Sequence, residues 1–200
     1  MVLIFSESDL TNIAFEIMRS KKINMEQTKL NTKKLLKQFN ETESELLKAV
    51  SSFSEEQLNT VPFEGSWTAG QVTEHLLKSK SGIPQLLSGA TKSTEREPDE
   101  KVEIIKSIFL DFNTKFKSPD FVLPSDAPHE KQALLNSLKK TWMEINKAAN
   151  SLDLSEICTS FPFPQLGELT RWEWMNFAIV HTQRHTRQLK NIFEKFESNK

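Results

Sequence analysis

The stretch TRWEWMNFAIVHTQRHTRQLKNIF, residues 170–193, decides the fold because its apolar side chains recur every three or four positions. An α-helix turns once in 3.6 residues, so this spacing gathers the apolar side chains on one face. The predicted helix runs from about Thr170 to Phe196, after a loop rich in proline and glycine. Its apolar face consists of Trp174, Phe177, His181, His185, Leu189 and Ile192.

Three further stretches show the same helical periodicity. They contain Leu35, Phe39, Leu46, Val50 and Phe53; then Val102, Ile105, Phe109, Phe112 and Phe116; and then Leu134, Leu138, Trp142, Ile145 and Ala149. The segment between the second and third stretches, residues 118–128, holds three prolines and should break any helix. With only five glycines in 200 residues, the chain is predicted to be all-α.

The clearest helix start in the chain is Thr68-Ala69-Gly70-Gln71, in which a threonine is followed three residues later by a glutamine. This is the pattern of a capping box, so we expect a helix to begin at Ala69 and to end or kink at Pro84. Its apolar face should carry Val72, His75, Leu76 and Ile83.

The N-terminal part of the chain is less informative. Residues 1–20 have the spacing of an extra amphipathic helix but no clear cap. We therefore predict an N-terminal extension over residues 1–26 and one helical domain over residues 27–200.

Charge and composition exclude several classes of protein. The formal net charge is −1 and the basic residues are mixed with acidic ones, so we expect no nucleic-acid partner. No run approaches the ~20 apolar residues that span a bilayer, and the apolar start lacks the basic flank of a signal peptide. We expect a cytoplasmic protein without a membrane segment. One cysteine, Cys158, excludes an internal disulfide and a four-cysteine zinc site, and such a residue is typically a small buried hydrophobe.

The histidines carry the functional signal. His181 and His185 lie four residues apart, which on a helix means a rise of ~6 Å and nearly the same direction, so both imidazoles can reach one ion. His75 occupies the apolar face of a separate helix. Three buried imidazoles need partners for their ring nitrogens, and a shared metal ion would satisfy three acceptors together. The alternative is that they are hydrogen-bonded core residues.

Two segments resemble the DinB/YfiT-like family. WTAGQVTEHL, residues 67–76, is similar to the segment that opens the family's second helix, and the stretch from Gly167 to Gln188 is similar to its last helix. The resemblance covers roughly residues 27–195. It implies an up-down-down-up four-helix bundle, often a homodimer, with one divalent metal ion held by His75, His181 and His185. Zinc and nickel are the main candidates for that ion, and iron and cobalt are further ones.

The resemblance leaves the reaction open. Three histidines leave at least one coordination position free, which is typical of a catalytic site. The family implies a metal-dependent hydrolase or a thiol-dependent S-transferase that acts on a small molecule, with a low-molecular-weight thiol as one candidate partner. A non-catalytic metal-binding or stress-response module is the alternative.

Four polar residues near these motifs carry weaker expectations. We expect Glu74 to face solvent, because neighbours on a helix point about 100° apart, and His129 to be exposed. Arg184 and Arg187 flank the histidine pair and either hold an anionic substrate or lie on the surface. Trp67 and Trp174 are interpreted as core or site-wall residues.

Overall fold

The structure is a computed structural model that describes residues 31–114 and 116–198. The elements, in chain order, are α1 (residues 31–51), α2 (Glu55–Asn59), α3 (Ala69–Ser81), α4 (Ile83–Ser88), β1 (Thr91–Lys92), α5 (Val102–Phe109), a 3-10 turn (Asp120–Val122), α6 (Lys131–Ser151), β2 (Ile157–Cys158) and α7 (Arg171–Ser198). All features described below lie in one compact unit, Leu36–Lys200. The predicted helix over residues 1–20 and the predicted boundary at residue 26 lie outside the described residues.

Helix α3 begins where the sequence predicts. The Thr68 hydroxyl accepts a hydrogen bond from the Gln71 backbone N–H at 3.1 Å, and the Gln71 side-chain oxygen accepts one from the Thr68 backbone N–H at 3.0 Å. The helix ends at Ser81, and Pro84 falls in the first turn of α4. Proline is well suited to a first turn because the N–H that it lacks has no partner there. The predicted break near Pro84 is therefore confirmed.

Four long helices, α1, α3, α6 and α7, share one apolar core. Its members include Leu46, Val50, Val72, Leu76, Leu134, Leu138, Leu189 and Ile192. Each helix contributes two of these side chains, at spacings of three or four residues, so the predicted faces are the faces that pack. The predicted all-α, four-helix bundle fold is confirmed. Within residues 31–114 and 116–198, the strands are limited to the short antiparallel pair β1–β2.

A buried ion pair crosses this bundle. The Lys80 ammonium group of α3 contacts the Glu43 carboxylate of α1, and the two side chains are only 3% and 2% exposed. The Thr182 hydroxyl of α7 lies 3.4 Å from the same Glu43 oxygen. Burying two charges is costly unless they remain paired, so the pair fixes the relative positions of α1 and α3.

The predicted helix through Phe112 and Phe116 is wrong in its second half. Helix α5 ends at Phe109, and Phe112 and Phe116 are 40% and 53% exposed. Their spacing matches a helical face, but neither side chain packs into the core.

Competing hydrogen bonds explain why α5 stops. The Asp111 carboxylate accepts a bond from the Asn113 backbone N–H at 3.0 Å, a local turn that replaces a helical bond. In addition, the Arg184 guanidinium of α7 donates to backbone carbonyls that a longer helix would use, those of Phe109, Asp111 and Thr114. A distant arginine thus holds the chain in a loop.

The proline-rich segment before α6 behaves as predicted. Residues 118–128 contain no helix longer than the 3-10 turn Asp120–Val122. Within the described ranges, no helix has the length and apolar character to cross a membrane.

Candidate metal centre

The three predicted histidines meet inside the bundle. His75 comes from α3, and His181 and His185 come from successive turns of α7. The Nε2 atom of His181 lies 3.4 Å from Nε2 of His75 and 3.1 Å from Nε2 of His185. One ring nitrogen from each histidine lies within 4.8 Å of the others, and all three residues are buried.

The two separations from His181 match the geometry of a shared metal ion. Zinc–nitrogen bonds of roughly 2.0–2.1 Å at tetrahedral angles place neighbouring ligand nitrogens about 3.3 Å apart. The two Nε2–Nε2 distances, 3.4 and 3.1 Å, lie on either side of this value. The residues present therefore fit a small divalent cation.

Hydrogen bonds on the far side of two rings aim their Nε2 lone pairs at the centre. The Nδ1 of His75 lies 2.9 Å from the Val122 carbonyl oxygen, and Nδ1 of His185 lies 2.8 Å from the Gln188 side-chain oxygen. Because these oxygens only accept, each Nδ1 carries the proton and each Nε2 is left with its lone pair. Such outer partners orient histidine ligands in metal sites.

This tautomer assignment weighs against the alternative of hydrogen-bonded core histidines. Two Nε2 lone pairs approach the Nε2 of His181, which carries at most one proton and can donate it to one of them. The Nδ1 of His181 has no hydrogen-bond partner in the described part of the chain. Hydrogen bonds within the cluster cannot satisfy all three rings, whereas one cation can accept a lone pair from each.

Burial keeps the three imidazoles neutral. It lowers the pKa of His185 to about 3, with the neighbouring His75 adding to the effect. Burial likewise lowers the pKa of His75, against a smaller opposing effect of its bond to Val122, and it lowers the pKa of His181 well below the ordinary value. Neutral rings are the form that binds metal, so the donors are available at neutral pH.

Aromatic rings surround the histidines. The Phe177 ring stacks on His181 with a centroid distance of 5.1 Å, and Phe109 meets the same imidazole edge-on at 5.5 Å. Trp67 lies 5.2 Å from His75, and Trp174 contacts Phe177 at 5.7 Å. The two tryptophans thus line the site, directly for Trp67 and through Phe177 for Trp174, as expected.

Glu74 and His129 do not lie where the sequence suggested. The Glu74 side chain is only 18% exposed, and its carboxylate bonds to the Ser125 backbone N–H and to the His129 ring, whose side chain is 8% exposed. Desolvation raises the pKa of Glu74, but hydrogen bonds from His129, Ser125 and Lys78 outweigh it and lower the pKa to about 2. Glu74 points away from solvent because residues 118–128 fold back over it. Its role is to fix that loop, and a group this acidic is a poor general base.

Arg184 and Arg187, which flank the histidine pair, contact the loop after α5. Arg184 donates to three backbone carbonyls and lies over the Phe116 ring at 5.3 Å. Arg187 lies over the Phe112 ring at 4.2 Å. These contacts do not support an anionic-substrate role. They show that the two arginines hold residues 109–114 and Phe116 in place.

Cys158 is buried, as expected. Burial raises the pKa of its thiol to about 11, so the reactive thiolate is scarce at neutral pH.

Two groups that orient the histidines are not among the residues predicted from the sequence. Gln188 follows His185 by three residues, a spacing that places both on one helix face and could have identified it. The Val122 carbonyl reaches His75 from a loop 47 residues away, and no local pattern indicates such a contact.

Comparison with known proteins gives one family. A family model described as the DinB superfamily matches residues 38–189, which include all three histidines. The Bacillus subtilis (strain 168) protein YuaE, which is uncharacterized, is 29% identical over 161 residues, covering 80% of this chain and 97% of YuaE. A Bacillus cereus (strain 03BB102) protein named "Putative metal-dependent hydrolase" is 24% identical over 159 residues, covering 78% of this chain and 82% of the relative.

A solved structure shows a similar fold. YfiT from Bacillus subtilis aligns with a TM-score of 0.55 and 18% identity, covering 83% of this chain and 87% of YfiT. It is described as a probable metal-dependent hydrolase with an unusual four-helix bundle topology. At this identity the likeness supports the bundle fold.

Proposed function

The chain belongs to the DinB superfamily, and from this premise we propose that it is a metal-dependent hydrolase of a small molecule. In this proposal His75, His181 and His185 hold one divalent ion, with zinc or nickel as the leading candidates. The observation that carries it is the convergence of three neutral Nε2 donors at separations that suit one ion. The names of relatives point the same way.

The chain's own residues prepare the site for this chemistry. The Val122 carbonyl and the Gln188 side chain hold two imidazoles in the ligating tautomer, so little reorganisation is needed when the ion binds. Phe177, Phe109 and Trp67 line the rings with apolar surface and restrict water. A zinc-type ion in a three-histidine site acts as a Lewis acid and lowers the pKa of water towards 7.

A second reaction class uses the same open position. Three nitrogen ligands leave room for a thiolate, so a small thiol could be activated for transfer to an electrophile instead of water. We regard this S-transferase activity as the second candidate. A site that binds metal but turns over no substrate is the third.

The decisive experiment compares purified, zinc-loaded wild type with His185→Ala. Hydrolysis of 4-nitrophenyl acetate is followed without thiol, and conjugation of 1-chloro-2,4-dinitrobenzene is followed with and without cysteine. We expect metal-dependent ester hydrolysis that a chelator and His185→Ala abolish. Gln183→Ala, on the same helix, is the matched control, because Gln183 makes none of the hydrogen bonds that orient the histidines.

Each outcome separates the candidates. Activity only in the presence of cysteine would replace the hydrolase by an S-transferase. Metal binding without either reaction would contradict hydrolysis of these ester-type substrates and favour the non-catalytic module. Equal rates in wild type and His185→Ala would contradict a role for the histidines in the reaction.

A further inference from the structure

Aromatic rings connect the histidine cluster to the protein surface. The inner rings adjoin His181, as described above, and Phe163 continues the series at 5.0 Å from Phe177. Trp174 follows at 5.4 Å from Phe163, and Phe161 at 6.2 Å from Trp174. The last contact joins Phe161 to Phe121 at 6.3 Å. We call this set the aromatic wall: Phe109, Phe121, Phe161, Phe163, Trp174 and Phe177.

The outer end of the aromatic wall is open to solvent. Phe121 is 69% exposed and Phe161 is 41% exposed, whereas Trp174 and Phe177 are buried. Single exposed apolar residues are ordinary, but these two rings contact each other and continue into a row that ends on a candidate metal ligand. A contiguous apolar surface that reaches reactive groups is characteristic of a ligand site.

Two loops that carry the outer rings are anchored to different histidines. Phe121 lies in the 3-10 turn beside Val122, whose carbonyl accepts the bond from His75. Phe161 belongs to the loop whose Phe163 packs on Phe177, the ring stacked on His181. The contact between Phe121 and Phe161 therefore joins the two sides of the site.

The loop with Phe161 is held in a defined shape. Phe163 and Gly167 exchange two backbone hydrogen bonds, each 2.8 Å long, around a tight turn. Gln165 and Gly167 have φ angles of 66° and 69°, a conformation that closes such a turn. A wall in a fixed loop is pre-organised and loses little entropy when it binds a ligand.

The aromatic wall contains one buried polar group, the indole N–H of Trp174. Trp174 is 4% exposed, and its indole Nε1 makes no hydrogen bond within the described residues. A buried tryptophan N–H usually finds an acceptor, and an unsatisfied one costs stability. An acceptor on a ligand that packs against the wall would satisfy it.

We propose that the substrate of the metal centre carries an aromatic or similarly flat apolar group, and that this group packs on the aromatic wall with an acceptor directed at Trp174. This inference rests on the proposed metal-dependent function. It extends that function by assigning the class of substrate: small molecules in which the reacting group and an apolar ring are close neighbours.

The test uses hydroxamates, because their two oxygens bind the metal and the rest of the molecule can be varied. Calorimetry on zinc-loaded protein compares acetohydroxamate with phenylacetohydroxamate. We expect the phenyl compound to bind at least about tenfold more tightly, since its ring loses contact with water. The Phe121→Ala/Phe161→Ala double variant should lose most of this preference and keep its affinity for acetohydroxamate. Met143→Ala, an exposed apolar residue outside the wall, should keep the preference.

A separate set of ligands tests the proposed hydrogen bond to Trp174. Among the 2-, 3- and 4-methoxy derivatives of phenylacetohydroxamate, at least one should bind more tightly than the parent. In Trp174→Phe that gain should disappear, so that the derivative and the parent compound bind the variant with equal affinity. If no derivative gains affinity, the acceptor part of the proposal is overturned.

The results separate this inference from the proposed function. Equal affinity for the two hydroxamates, or an unchanged preference in the double variant, would overturn the aromatic substrate class while the metal site stands. Failure of zinc-loaded protein to bind either hydroxamate would instead contradict an open metal site, and with it the proposed function.

Discussion

Replacing Gln188 by leucine tests whether the histidines are pre-arranged for metal. Its side-chain oxygen lies 2.8 Å from Nδ1 of His185, one helical turn away, and selects the tautomer whose Nε2 can ligate. Leucine is similar in size but cannot accept this bond. Loss of an outer partner of a metal-bound histidine typically lowers metal affinity about 10–100-fold, which corresponds to about 1.4–2.7 kcal/mol.

The assay is competition for Zn²⁺ with a fluorescent chelator at pH 7.5. Gln188→Glu should retain or increase the affinity, because a carboxylate accepts the same bond. Gln183→Leu, on the opposite side of α7, is the matched control and should bind as wild type does. An affinity of Gln188→Leu within twofold of wild type, or an equal loss in Gln183→Leu, would refute the reasoning.

Three further predictions concern stability. Lys80→Met leaves the Glu43 carboxylate buried and unpaired, and should lower the free energy of unfolding, measured in urea, by about 3–5 kcal/mol. The double variant Glu43→Leu/Lys80→Met should recover most of this loss. Equal losses in the single and double variants would contradict the pairing. Thr68→Ala removes the cap of α3 and should lower the free energy of unfolding by about 1 kcal/mol in the same assay. An unchanged free energy of unfolding would contradict the role of Thr68 as a cap. Because burial lowers the pKa of His185 from 6.5 to about 3, unfolding of the metal-free protein releases a ring that takes up a proton below pH 6.5. Its free energy of unfolding should therefore fall between pH 7.5 and pH 5, and a pH-independent value would contradict neutral buried rings.

The elements that depend on local pattern could be predicted from the sequence. The periodicity of α7 placed His181 and His185 on the buried face, and the Thr68–Gln71 capping box set the start of the helix that carries His75. Two charged residues at positions where the helical pattern calls for apolar ones are also informative. Glu43 and Lys80 occupy apolar-face positions of α1 and α3, and a charge at such a position indicates a buried partner.

Features that depend on distant contacts could not be predicted in this way. Helical spacing continues from Val102 to Phe116, but Arg184 of α7 binds the carbonyls that a longer α5 would need. Glu74 does point away from the histidines, as its helix position requires. It is half-buried because the segment 118–128 returns over α3, and periodicity contains no information about where a loop goes.

The most direct test of the account is the metal content of the purified protein. Elemental analysis should find about one equivalent of a divalent metal per chain in wild type, either as isolated or after incubation with Zn²⁺ and desalting. His181→Ala, shown to be folded by circular dichroism, should retain almost none under the same treatment. Negligible metal in wild type, or equal metal in the two proteins, would contradict the claim that His75, His181 and His185 hold one ion.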